Sequence, residues 1–180
     1  MGHKWVVIQR RCFSDTDFYR DWSDYKHGFG NFKENHDFWI GNDNIHLLTT
    51  DGYSYLRIEM LKTDDEPLEA DYERFMVEDE DNKYRINVTG FQGNHDCMTS
   101  SRWGWNLHGM VFSTFDEDHD SAEHNCAASL RSGWWFKSCT CGNLNGLIGK
   151  NKYDSMRWAC SSSDFCQLKA ARILLRRHTP

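Results

Sequence analysis

Long apolar runs are missing from this chain. No stretch of its 180 residues approaches the roughly 20 apolar positions that a membrane-spanning helix needs, so bilayer insertion is not expected. The opening MGHKWVVIQRRC has an apolar run too short for a signal-peptide core. Positive charge is also in short supply: 21 Lys and Arg stand against 27 Asp and Glu, a formal net charge of −6. General attraction to nucleic acid is excluded on that balance, and the basic stretch Arg172 to His178 reads as a solvated end. No collagen-like repeat, heptad segment or low-complexity linker occurs. No glycine loop is built to cradle phosphate, and no serine or cysteine stands with a base and an orienting group at motif spacing. An enzyme is the least supported class.

Rings and cysteines fill the gap. Hydrophobic content is a modest 39%, yet 14% of residues are aromatic and eight are Trp, so burial rests on large rings. The length suits a single domain, residues 1–180, with a real core. Seven cysteines point to an oxidising compartment. Asn87-Val88-Thr89 is an N-glycosylation sequon, which agrees. A secreted, extracellular protein is the expectation, with the chain read as a mature or incomplete piece because no leader is visible.

The β-branched and aromatic run Trp5 to Gln9 reads as a strand ending at Arg10-Arg11. Ser14-Asp15-Thr16-Asp17 reads as a helix start that caps free amides, with Phe18, Trp22 and Tyr25 on one helical face. Gly28-Phe29-Gly30-Asn31 would end that helix, and Asp43 to Thr49 suits a second. From Tyr53 to Met60 the pattern alternates: Tyr55, Arg57 and Glu59 on one side, Leu56, Ile58 and Met60 on the other. Asp64 to Pro67 is a turn. Strand character returns at Glu69–Val77 and Lys83–Val88, around a solvated acidic connector, Glu78 to Asp81. Strands joined by short polar turns predict an α+β fold: an antiparallel meander with short helices. From about residue 91 to 166 regular patterning almost vanishes, and it returns at Gln167 to Leu175. The reading is a sheet lobe, about 5–90 plus 167–176, with an irregular lobe, about 91–166, inserted before a last strand that re-enters the sheet.

The irregular lobe is densest between Phe112 and Gly146. Only Val111 to Thr114 there could be strand. Asp116, Asp118 and Asp120 alternate, which on extended backbone places three carboxylates on one side. An EF-hand is ruled out, because Ser121 stands where glycine is required and Ala127 where glutamate is. Zinc on His119, His124 and Cys126 is an alternative, although Cys139-Thr140-Cys141 lacks the CxxC spacing zinc prefers. A plain solvated acidic loop remains the bland alternative.

Segments across the chain resemble the fibrinogen C-terminal domain family, which includes ficolins, tachylectin-type lectins, tenascins and angiopoietins. They are WVVIQRR, DFYRDWSDYKHGFGN, FWIGNDNIHLLT, NKYRINVTGFQGN, HGMVFSTFDEDHD, NCAASLRSGWWFKSC and NLNG, in the family's order from Trp5 to about Leu175. The resemblance implies a central antiparallel sheet with short helices, an irregular calcium-binding lobe and a C-terminal strand returning to the sheet. The family's N-terminal subdomain has no counterpart here.

The family pattern places Ca2+ on the side chains of Asp118 and Asp120 and the backbone carbonyls of Ala122 and His124. Few charges imply weak affinity, on the order of 10⁻⁴ to 10⁻³ M. It pairs Cys126 with Cys139, closing a loop around Gly133-Trp134-Trp135-Phe136 that could contribute about 3 kcal/mol. Cys12, Cys97, Cys141, Cys160 and Cys166 are left unassigned, with an extra bridge among the last three plausible and, by the odd count, at least one cysteine free or bonded to another chain. The family's ligand pocket maps to Leu130, Thr140, Tyr153, Asp154 and Asp164. Members that bind acetyl groups line it with tyrosines, of which only Tyr153 is kept. Asp154 matches the acid that grips a peptide amino terminus in fibrinogen-like members. Tyr153 and Asp154 could equally be a packed ring and a solvated acid. Many members have His after the second cysteine, joined by a cis peptide; Thr140 stands there, leaving the Cys139–Thr140 bond open between cis and trans.

Two functions follow. One is a calcium-dependent recognition module, an innate-immune lectin for acetylated glycans; the other is an angiopoietin-like or tenascin-like module binding a cell-surface or matrix protein. Weak single sites would need multivalency, which upstream sequence or an unpaired cysteine could supply through a homo-oligomer.

Overall fold

A computed structural model describes residues 4–100, 106–149, 153–160 and 164–178. Eight strands form one antiparallel sheet: β1 Val6–Arg11, β2 Phe29–Gly30, β3 Phe38–Trp39, β4 Tyr55–Lys62, β5 Pro67–Val77, β6 Ile86–Gly93, β7 Arg157–Ala159 and β8 Phe165–Arg176. The order across the sheet is β2-β3-β1-β8-β4-β5-β6, with β7 paired to β8. Helices α1 Trp22–His27, α2 Asn42–Thr50 and α3 Cys126–Leu130 are short. The expected α+β fold is therefore present.

The last strand is the centre of the sheet. Ile173 pairs with Gln9 of β1 and with Ile58 of β4. The alternation read in β4 holds: Leu56, Ile58 and Met60 are buried, while Arg57 and Glu59 point outward to Asp71 and Arg172. Strand β5 starts at the Pro67 turn, and β6 starts three residues later than expected. Lys83 and Tyr84 have positive φ and form the turn that precedes it, because Tyr84 buries its ring there.

Helix α1 corrects the sequence reading. It begins at Trp22, capped by the Asp21 carboxylate on the Asp24 amide at 2.8 Å. The oxygen-bearing residues Ser14 to Asp17 serve a loop instead. Asp15 accepts the Asp37 amide and Thr16 donates to the Asp37 carbonyl. Asp37 in turn accepts the amides of Cys12, Phe13 and Ser14. A capping residue satisfies whichever amide lies in reach, and here those are across a loop.

The two halves share one core. Tyr25, Trp39, Phe112 and Trp135 pack ring against ring with centroids 5.1–6.2 Å apart. The Trp135 indole donates to the Tyr84 carbonyl at 2.7 Å. Buried Gln9 reaches from β1 to the Leu144 carbonyl and the Asn145 side chain, and Asn145 donates to Gly133. The sheet thereby fixes the turn that carries the candidate site. The expected Val111–Thr114 strand reduces to one bridge, Ser113 to Trp134.

Candidate functional site

The acidic loop runs from Thr114 to α3. Its three aspartates do not share one side. Asp116 turns away to accept the Trp22 amide and the Thr114 hydroxyl, which leaves Asp118 and Asp120 as a facing pair. Asp120 accepts the amides of Ala122 and Cys126, each at 2.8 Å, and its own amide donates to Asp118 at 3.3 Å. Burial first, and then the Asp118 carboxyl, push the Asp120 pKa up against the pull of those two amides. Two carboxyls in contact share a proton or need a cation. Among the described residues no backbone amide donates to the carbonyls of Ala122 or His124. The donors present are hard oxygens, which suit a hard cation.

Zinc loses its ligands. His124, Cys126 and Cys139 come within 4.8 Å of one another, but Cys126 and Cys139 are joined as a disulfide, so no thiolate remains. The His124 ring lies 3.6 Å from the Cys139 sulfur. The pairing implied by the family resemblance is present.

Two further bridges surround it: Cys97 to Cys141 and Cys160 to Cys166. Cys12 is left as a free thiol. Nothing in the sequence paired Cys97, 44 positions from its partner. Cys139 and Cys141 are thus tied in different directions, with Thr140 between them. The cis peptide lies one bond upstream of the position considered, at Ser138–Cys139.

The candidate pocket residues separate into two kinds. Leu130 is 1% and Thr140 2% exposed. Leu130 belongs to the core, and the Thr140 hydroxyl is spent on its own turn, donating to the Gly142 carbonyl at 2.6 Å. Tyr153, by contrast, is 58% exposed. Asp154 is 9% exposed, and its Oδ1 has no hydrogen-bond partner among the described residues. Asp164 is exposed at the β7–β8 end, capping the Phe165 amide. The Asp154 carbonyl accepts the Leu147 amide, and Asn143 and Leu147 bridge to Arg157 and Ser155, so the segment following Thr140 lies beside Asp154. Sequence reading missed the buried polar atoms here: Asn143 Nδ2, Ser155 Oγ and Arg157 Nε also lack partners among the described residues. Their only signal was an unusual density of polar residues between Gly142 and Arg157. Asn87 lies on edge strand β6, donating to Glu78 at 3.0 Å.

No helix among the described residues is long and apolar enough to cross a membrane. Residues 1–177 match the family described as fibrinogen beta and gamma chains, C-terminal globular domain. Fibrinogen-like protein 1 of Bos taurus is 42% identical over 159 residues, 84% of this chain and 51% of that protein. Tenascin-R of Homo sapiens is 41% identical over 152 residues, 84% of this chain and 11% of that protein. The fibrinogen-like globe domain of human ANGPTL2 superposes with a TM-score of 0.85 at 33% identity, covering 97% of this chain and 81% of that one. Lamprey fibrin D-dimer, complexed with the peptide ligand Gly-His-Arg-Pro-amide, gives 0.88 at 30% identity, covering 99% and 62%. The chain spans about half the length of the fibrinogen-like protein and about a tenth of tenascin-R. In sheet order, in the disulfide-bound Trp-Trp turn and in these matches alike, the chain belongs to the fibrinogen C-terminal globular domain family.

Proposed function

We propose that this chain is an extracellular, non-catalytic recognition domain that binds a protein or peptide partner beside Tyr153 and Asp154. One observation carries the reading: Asp154 keeps a buried carboxylate oxygen without a partner among the described residues. An unpaired buried acid is costly, and a cationic group on a partner, such as a peptide amino terminus, would complete it. Exposed Tyr153 adds a ring for that partner to pack on. The lectin alternative is weaker, because Leu130 and Thr140 are turned into the core and its hydrogen bonds and offer nothing to an acetyl group. Three disulfides support the extracellular setting.

Calcium fits the acidic loop, held by Asp118 and Asp120 with the carbonyls of Ala122 and His124. It would neutralise the facing carboxyls and brace the loop. The bracing reaches the pocket side because Ser121 donates through both its amide and its hydroxyl to the Lys137 carbonyl, two residues before Cys139.

The test is a titration with short peptides bearing free or acetylated amino termini, run beside an acetylated-glycan array with and without calcium. Binding of free-amine peptides, lost on acetylation and in Asp154→Asn, is expected. Calcium-dependent glycan binding with indifference to peptides would restore the lectin reading.

A further inference from the structure

We propose that the cavity between the Arg11–Phe18 loop and Leu147–Ile148 is a separate ligand site for the carboxylate of an apolar amino acid, free or at the carboxyl end of a peptide. Arg11 is 3% exposed. Its Nη1 donates to the Asn145 carbonyl at 3.1 Å, and its guanidinium lies 4.0 Å over the Phe18 ring. Its Nε has no hydrogen-bond partner among the described residues. The nearest acid, Asp37, stands 4.0 Å from that nitrogen, and its two oxygens already accept three backbone amides. Burial pulls the Arg11 pKa down, as expected of a cation that is desolvated and incompletely paired.

Arg11 lines a cavity of ≈ 320 Å³ with Ser14, Thr16, Asp17, Leu147 and Ile148. Guanidinium and carboxylate match in charge and planar shape. Asp15 is in the same wall but is occupied, bound to His36 and to the Asp37 amide. The wall therefore carries two acids, which disfavours a phosphate dianion. A single carboxylate flanked by a nitrogen fits better: the carboxylate on Arg11, the N–H or ammonium toward Asp17, and an apolar side chain on half-buried Leu147 and Ile148.

The experiment is calorimetric titration of the intact chain with leucine, N-acetyl-leucine and leucinamide. Both carboxylates bind and leucinamide does not. Tighter binding of leucine than of N-acetyl-leucine assigns the free amino acid; equal binding assigns a peptide end. Ile148→Asp, on the cavity rim, lowers binding roughly tenfold or more through like-charge repulsion; because Ile148 also packs against the core, its fold is checked by circular dichroism in the same sample. Arg11→Lys keeps the charge but loses the planar fork, and Ile148→Asp decides the matter should that variant fail to fold. Equal binding of leucinamide, no binding of any probe, or full binding by Ile148→Asp overturns the proposal.

Discussion

The backbone amide of Trp22 donates to both carboxylate oxygens of Asp116, at 3.0 and 3.3 Å, across 94 positions of sequence. Trp22 opens α1, so its amide has no partner within the helix. The Trp22 ring also meets Phe112, just ahead of the acidic loop, and His119 within it. Loop and helix are thus one mechanical unit. Asp116→Ala is expected to destabilise the chain by about 1 kcal/mol, read from the denaturant midpoint, with Asp116→Asn largely restoring it.

Calcium titration gives a second check. With a dissociation constant near 1 mM, 10 mM calcium would add about 1.4 kcal/mol by mass action. The melting temperature rises accordingly in the parent chain and in Asp116→Ala, and stays flat in Asp118→Ala. A flat response in the parent chain would remove the metal from the account.

The three disulfides differ in access. Cys97, Cys126 and Cys141 are buried, while both sulfurs of Cys160–Cys166 belong to half-exposed residues. Mild thiol treatment followed by alkylation and mass spectrometry should label Cys160 and Cys166 first. Cys12 should react slowly at neutral pH even without reductant. Burial, and then the Asp37 charge, raise its pKa, so its thiolate appears only as pH climbs above the ordinary thiol range.

Gly142 is packed too tightly for any side chain. A Cβ there would stand 2.5 Å from the Trp158 ring and 2.8 Å from the Cys97 sulfur. Gly142→Ala is expected to cost about 1–3 kcal/mol by overpacking and to weaken peptide binding, since the same turn lies beside Asp154. Unchanged stability would show that the Cys97–Cys141 wall yields.

The sheet was largely legible because its signal is local. Alternation in β4 and the apolar close of β8 name their own faces. Helix α1 was misplaced by four to seven residues because Ser14 to Asp17 and the true cap Asp21 carry the same capping chemistry, and only tertiary contact with Asp37 decides between them. Asp118 and Asp120 could be named through the family pattern, whereas the turning away of Asp116 depends on an amide 94 positions distant. Cys97 was invisible for the same reason. Pocket positions could be numbered, but the withdrawal of Leu130 and Thr140 is a matter of packing depth, which no residue spells out.

The placement of β8 sets an order on assembly. A chain emerging from the ribosome has β1 and β4 in hand, yet in the finished sheet these two are joined only through Phe165–Arg176, which lies between them. Until that strand is in place each presents an unpaired edge, the kind that recruits other strands. Cys97–Cys141 and Cys126–Cys139 can close before it arrives, whereas Cys160–Cys166 cannot, because Cys166 lies in β8 itself. A nascent or truncated form lacking those twelve residues is expected to be an open template for aggregation along the exposed edges of β1 and β4.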